Sequence, residues 1–156
     1  MATAQPLPKH RPEPSVFRRY QKEVECLAKA VYFEARGEPI PGQLLVAQVI
    51  LNRVDSIHYP DSACDVVYQN DHRKNACQFS FACDGIPDRV KDWRAWTVAE
   101  RIAEITFRCD ADCRSERGQL NRSTHYHAVR VAPGWSRKLR RTGRIGNHIF
   151  YFTASM

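Results

Sequence analysis

Val31-Tyr32-Phe33-Glu34-Ala35-Arg36-Gly37-Glu38 is the stretch from which the fold is read. Upstream of it, Phe17, Tyr20, Val24, Leu27 and Val31 recur at alternating intervals of three and four, the spacing of one stripe on an amphipathic helix. The next position on that stripe is Glu34, so its carboxyl is expected to lie against apolar surface. Gly37 and Pro39 stop the helix and leave Glu34 in the last turn, beside a loop. Burial disfavours the charged form and raises a carboxyl pKa. An acid still protonated near neutral pH can protonate a leaving oxygen, as cleavage of a glycosidic bond requires. A surface Glu at a fraying helix end would show the same pattern, and spacing alone does not separate the two.

Working outward, Ser15 is a candidate cap for this first helix, which is expected to run to Ala35. Pro41 suits the first turn of a second helix through Val54. Leu44, Leu45, Val46, Ala47, Val49, Ile50, Leu51 and Val54 make that helix apolar nearly all round, which predicts a buried central helix. Gln43, Gln48 and Asn52 interrupt it and need partners if buried. Ser62 with Asp65 resembles a capping box for a short helix to Tyr68. In the polar stretch Asn70–Gly85, Phe79 and Phe81 alternate around Ser80, which predicts a short hairpin or a tight loop. Asp88–Arg108 reads as a third long helix and Asp110–Arg122 as loop. Thr124–Val129 has strand character, Pro133-Gly134 ends it, and Gly146–Phe152 reads as a closing strand. Helices outnumber strands, which predicts an α+β domain with a mainly helical core and a small β element.

At 156 residues, 43% hydrophobic and 26% charged, the chain is expected to form one ordinary globular domain over residues 15–156. Pro6, Pro8, Pro12 and Pro14 make residues 1–14 read as a flexible tether without the apolar segment of a signal peptide. No apolar run approaches the roughly 20 residues of a membrane span. A net charge of +7 points to an anionic partner, such as nucleic acid, acidic lipid or bacterial wall. Much of the excess lies in Arg137, Lys138, Arg140, Arg141 and Arg144, read as a solvated loop. That run lacks the interleaved aromatics of a single-strand nucleic-acid binder, so no specific nucleic-acid partner is expected. Six cysteines, Cys26, Cys64, Cys77, Cys83, Cys109 and Cys113, favour an oxidising compartment and at least two disulfides, with the pairing open. They show neither CxxC pairs nor zinc spacing with His, so neither metal nor cofactor is expected. A monomer outside the cytoplasm, in the periplasm, secreted or on the wall, fits these features.

Three blocks line up in order. They are Leu27–Glu38 with Gly42-Gln43 and Asn52-Arg53-Val54; Gln78-Phe79-Ser80-Phe81; and Thr124-His125-Tyr126-His127 with Pro133-Gly134-Trp135 and Gly146–Tyr151. Together they resemble the bacterial cell-wall hydrolase family of the spore cortex-lytic enzyme type. The resemblance implies a lysozyme-like domain, lytic transglycosylase activity on peptidoglycan glycan strands, and Glu34 as the catalytic acid. Two departures, the cysteine content and the lack of a recognisable wall-binding repeat, leave bacterial wall in general as the implied substrate rather than spore cortex in particular. Gln78 and Ser80 are candidates to hold sugar amides or hydroxyls. Tyr126 is a candidate to position Glu34 or to stabilise positive charge. Thr124, His125 and His127 complete the candidate substrate contacts, with Asn147 and His148 as further polar groups in strand-like segments. Trp135 has two readings, stacking on a sugar or packing, and packing is the favoured one. The rival readings are a muramidase in which Glu38 or Asp84 assists water, and a non-catalytic wall-binding module.

Overall fold

A computed structural model describes residues 13–73, 77–115 and 118–153. Five α-helices precede a three-stranded sheet among these residues: α1 (Pro14–Ala35), α2 (Ile40–Val54), α3 (Ala63–Val67), α4 (Trp93–Arg108), α5 (Ala111–Ser115), β1 (His125–Ala128), β2 (Arg140–Ile145) and β3 (His148–Phe152). This is the expected α+β arrangement, with a helical core and a small β element. Residues 1–12 of the expected tether lie outside the described residues.

The core forms where the apolar stripe of α1 meets α2, α3 and α4. Leu27, Ala28, Val31 and Tyr32 are buried on α1, and Ala47, Ile50 and Leu51 meet them from α2. As its composition predicts, α2 is buried nearly all round, and its polar exceptions are bonded. Gln43 Nε2 donates to the Glu38 carbonyl at 3.0 Å, and Gln48 Nε2 donates to Asn52 Oδ1 at 2.9 Å. Asn52 Nδ2 in turn donates to the carbonyls of Asn121 and Ser123 at 2.7 and 2.8 Å. These bonds fasten the end of the central helix to the segment that leads into β1. The sheet is antiparallel in the order β1-β3-β2, and Phe150 at its centre packs on Leu45, Val46 and Val49 of α2.

Several local expectations need correction. Ser15 does not cap α1; the helix starts one residue earlier, at Pro14, whose fixed φ suits a first turn. The third long helix begins at Trp93 rather than Asp88. The backbone N–H groups of Lys91 and Asp92 both donate to the Tyr32 hydroxyl at 3.1 Å, and Asp92 then caps the helix by accepting from Ala95 N at 3.0 Å. The stretch around Phe79 is a tight loop with a 3-10 turn at Ser80–Ala82, not a hairpin. Asp110–Arg122 contains α5 and a 3-10 turn at Gln119–Arg122, so it is not plain loop. The arginine-rich run contains a strand, β2, which lies at a sheet edge with Arg140, Arg141 and Arg144 exposed. Charged side chains on an edge strand discourage pairing with another chain, and they hide the alternation by which a strand is read. Ser62 does cap α3, accepting from Asp65 N at 3.2 Å.

All six cysteines pair, as Cys26–Cys64, Cys77–Cys83 and Cys109–Cys113. The first ties α1 to α3, the second closes the loop containing Gln78, and the third joins the end of α4 to α5.

The β2–β3 turn has a demanding geometry. Gly146 has φ +55°, and a Cβ there would sit 2.1 Å from Glu38 Oε2 and 2.9 Å from Pro39 Cδ. The same carboxylate oxygen accepts the Asn147 N–H at 2.9 Å, locking the turn to the end of α1. Gly146→Ala is expected to cost roughly 1–3 kcal/mol in a urea melt, from left-handed strain and displacement of Glu38. Gly37→Ala, with no atom within 4 Å of its added Cβ, is expected to stay within about 0.5 kcal/mol of wild type. Equal effects of the two substitutions would refute this account of the turn.

Candidate active site

A cleft of about 830 Å³ opens where the end of α1, the Cys77–Cys83 loop and β1 converge. Its lining includes Phe33, Glu34, Glu38, Arg53, Gln78, Ser80, Tyr126, His127 and His148. Glu34 reaches it from the last turn of α1, as the apolar stripe predicts. Its Oε1 is buried without a hydrogen-bond partner. Burial raises the Glu34 pKa above the ordinary carboxyl value. The Tyr126 hydroxyl and the Ser80 backbone amide interact with the carboxyl group and oppose that rise. Tyr126 is itself pushed well above the usual phenol range, by burial first and by Glu34 second, so it stays protonated and available as a donor.

The Cys77–Cys83 loop presents its polar groups by alternation. Phe79 and Phe81 are buried, and Phe81 stacks on Phe33 with ring centroids 5.1 Å apart. Gln78 and Ser80, on either side of Phe79, are exposed and line the cleft. Arg53 lies beneath this loop and is only 1% exposed. Its Nε donates to the Thr124 carbonyl at 2.7 Å. With the Gln78 amide oriented so that its oxygen faces the guanidinium, that oxygen accepts from Nη1 and Nη2 at 3.2 Å. The guanidinium also sits over the rings of Tyr59 at 4.9 Å and Phe79 at 5.7 Å. No carboxylate pairs with it in any ion pair among the described residues. Carbonyl oxygens and aromatic faces therefore compensate this buried charge.

The histidines have different jobs. His127 lines the cleft and uses both ring nitrogens. Nδ1 faces the Ala128 carbonyl at 2.8 Å, and a carbonyl only accepts, so Nδ1 carries the proton. Nε2 then accepts from the Tyr151 hydroxyl at 2.9 Å. His148 packs its ring 4.9 Å from that of Tyr126, its Nδ1 is buried without a partner, and burial lowers its pKa. His125 is held at about 4 by burial and by the charge of Arg53.

Of the candidates read from sequence, the structure brings Glu34, Gln78, Ser80, Tyr126 and His127 to one cleft. It does not bring Thr124 or His125 there. Thr124 Oγ1 lies 2.9 Å from His125 Nδ1 and accepts the Thr153 N–H at 3.2 Å, while His125 Nε2 faces the Tyr59 hydroxyl at 3.4 Å. These two side chains bind neighbouring segments together rather than facing the cleft. Of the rival carboxylates, Glu38 lines the cleft, whereas Asp84 accepts the Ile86 N–H at 2.9 Å and does not. Arg53 is the residue the sequence reading passed over, taken only as part of a motif. An arginine one turn beyond Val49 and Ile50, on a helix apolar nearly all round, is the signal that could have found it.

Residues 37–151 match the family described as Cell Wall Hydrolase. The spore cortex-lytic enzyme of Halalkalibacterium halodurans is 32% identical over 129 residues, which cover 82% of this chain and 34% of that protein. The spore cortex-lytic enzyme of Oceanobacillus iheyensis is 49% identical over 49 residues, 31% of this chain and 18% of that protein. The chain thus spans about a third or less of the length of these curated relatives. The crystal structure of the catalytic domain of the Bacillus cereus SleB protein superposes with a TM-score of 0.64 at 26% identity, covering 84% of this chain and 90% of that one. The catalytic domain of the germination-specific lytic transglycosylase SleB from Bacillus anthracis gives 0.61 at 25% identity, over 93% and 99%. The family match begins three residues beyond Glu34, so the assignment of that residue rests on its geometry. With the match spanning most of its length and the fold shared with the SleB catalytic domains, this chain belongs to the cell wall hydrolase family.

Proposed function

We propose that this chain is a peptidoglycan lytic transglycosylase in which Glu34 serves as both acid and base. The observation that carries this reading is the buried carboxyl of Glu34, its pKa raised, set in an open cleft among polar groups suited to sugars. The name of the Bacillus anthracis SleB domain supports the reaction type. Glu34 gives its proton to the glycosidic oxygen between N-acetylmuramic acid and N-acetylglucosamine, and the bond from the muramic C1 to that oxygen breaks. The Glu34 carboxylate then takes the proton of the muramic C6 hydroxyl as that oxygen bonds to C1. A 1,6-anhydro end forms and no water is consumed. Tyr126, protonated throughout, donates to the ionised carboxylate and keeps it aimed. Gln78 and Ser80 are the proposed contacts to sugar amides and hydroxyls, and His127, whose ring nitrogens are both bonded, is proposed to meet the sugar through its ring. With all six cysteines paired, the proposed site of action is outside the cytoplasm: periplasm, wall or medium.

Glu38 is the specific reason to test for hydrolysis by water, since it is the other carboxylate lining the cleft. It is committed to the Asn147 N–H and the Gly146 turn, which favours a structural duty. Mass spectrometry of digested peptidoglycan separates the two reactions. Anhydro-muropeptides are expected, and reducing muramic ends would replace this reading with the muramidase. Glu34→Gln is expected to fold and to lose at least about 10²- to 10⁴-fold in turnover, the usual worth of a general acid. Clearance of peptidoglycan by Glu34→Gln at the wild-type rate would remove Glu34 from the mechanism.

Stability supplies an independent check on the same carboxyl. The folded pKa of Glu34 lies above its unfolded value, which is about 4.3 for Glu. Below the unfolded pKa both states are protonated, and ionisation costs the fold nothing. As pH rises past that value, the unfolded state ionises first and stability falls, levelling off above the folded pKa. Gln does not ionise. The stability of Glu34→Gln relative to wild type should therefore rise from acid towards neutral pH and then plateau. Denaturant melts of both proteins across this range test it, and a difference independent of pH would show that Glu34 is not a buried acid.

A further inference from the structure

Beyond the cleft, on the far side of Gln78 and Tyr126, lies a second cavity of about 410 Å³. The two share Cys77, Gln78, Tyr126, His127 and Val131, so they adjoin along common residues. Trp135 and Pro133 close the far end, and Asn70 joins them. Trp135 is held by three neighbours. Its ring lies edge-on to Tyr151 at 5.4 Å and to His127 at 5.6 Å, and tilted against His125 at 5.2 Å. These contacts are the packing expected from the sequence. They leave Trp135 half-buried, fixed in orientation and facing the second cavity.

We propose that Trp135 forms a distal saccharide subsite, stacking on a pyranose ring of the strand whose cleavage point lies at Glu34. The proposal rests on the glycan-cleaving reading above and extends it to the ligand's neighbouring sugars. Three observations select this occupant. The cavity that Trp135 lines adjoins the Glu34 cleft along five shared residues, which puts the indole beside the path of a linear polymer bound at Glu34. A fixed indole beside the carboxamides of Asn70 and Gln78 suits the apolar C–H face and the N-acetyl group of an amino sugar. Among the described residues lining the second cavity there is no acid, lysine or arginine, which suits a neutral sugar and not the carboxylates of a stem peptide. The disulfide Cys77–Cys83 holds the shared wall, so the two cavities keep a fixed separation.

The test uses peptide-free glycan strands of two lengths, a tetrasaccharide and long strands, with Trp135→Ala and Trp135→Phe. On long strands Trp135→Ala should raise KM roughly two- to twelvefold, the worth of one aromatic contact, with kcat unchanged. On the tetrasaccharide it should change little, and Trp135→Phe should recover most of the loss. Equal losses on both lengths, or a fall in kcat alone, would mean that Trp135 only packs β1, and would overturn the proposal. If Trp135→Ala does not fold, fluorescence decides. Titrating wild type with an N-acetylglucosamine oligosaccharide should perturb indole emission, Trp135→Phe should abolish that change, and Trp93→Phe should keep it. Binding without any perturbation from Trp135 would equally overturn the subsite. Because this titration needs no turnover, its failure is distinguishable from failure of the transglycosylase reading, which would show as an absence of anhydro products.

Discussion

One buried guanidinium holds the working parts of this domain in register. Arg53 extends from the central helix, receives the Thr124 carbonyl at the mouth of β1, and faces the Gln78 oxygen and Phe79 ring of the disulfide loop. Tyr126 follows Thr124 by two residues, and Ser80 follows Gln78 by two. The two groups that act on the Glu34 carboxyl are thus each one short step of backbone from a bond to the same cation. Removing such a charge would leave the Thr124 carbonyl, in a buried residue, without its donor, which costs more than the bond itself contributes. The arrangement also explains how a cation is tolerated near a carboxyl whose pKa is raised. Arg53 biases the Tyr126 phenol and the His125 ring, while burial dominates the Glu34 carboxyl.

The helical half of the fold and the placement of Glu34 were legible in the sequence because both are written in periodicity. The stripe ending at Val31 predicted the burial of Leu27 and Val31 and the side on which Glu34 lies, although Phe17 at its start is 48% exposed. The all-round apolar character of Leu44–Val54 predicted the central helix, and its glutamines and asparagine announced buried polar bonds. The alternation of Phe79 and Phe81 with Gln78 and Ser80 predicted two anchors and two presented groups, though not the 3-10 turn that makes them. What stayed hidden depends on partners distant in the chain. The start of α4 is set by the hydroxyl of Tyr32, about 60 residues upstream. The pairing of β2 follows from its neighbour β3 and not from its own arginine-rich pattern. Thr124 and His125 sit beside Tyr126 in sequence, yet the bonds they make bind them to Tyr59 and Thr153, away from the cleft.

The disulfides divide along the same line between scaffold and site. Cys26–Cys64 staples two core helices 38 residues apart in sequence, where loop closure gives a cross-link most of its effect on the unfolded chain. Cys77–Cys83 spans only 6 residues. Its entropic contribution to global stability is smaller, so its evident consequence is local. It closes the loop that presents Gln78 and Ser80, adding a covalent tie to the anchors supplied by Phe79, Phe81 and the contact of Gln78 with Arg53.

The lining of the cleft bears on the proposed reaction, in which one carboxyl suffices. A second catalytic carboxylate must be free to ionise beside the reacting carbon, and each added charge would alter the protonation of the first. Glu38 does line the cleft, but its Oε2 is drawn to the Asn147 N–H and crowds the space above Gly146. Glu34 has the opposite environment, with a buried oxygen that nothing bonds and a phenol that cannot readily lose its proton. The two glutamates are four residues apart, yet the helix end between them separates a carboxyl whose pKa burial raises from a carboxylate that pins a turn. Such a division of environments favours chemistry in which one group both gives and retrieves the proton, and in which the attacking hydroxyl comes from the sugar itself.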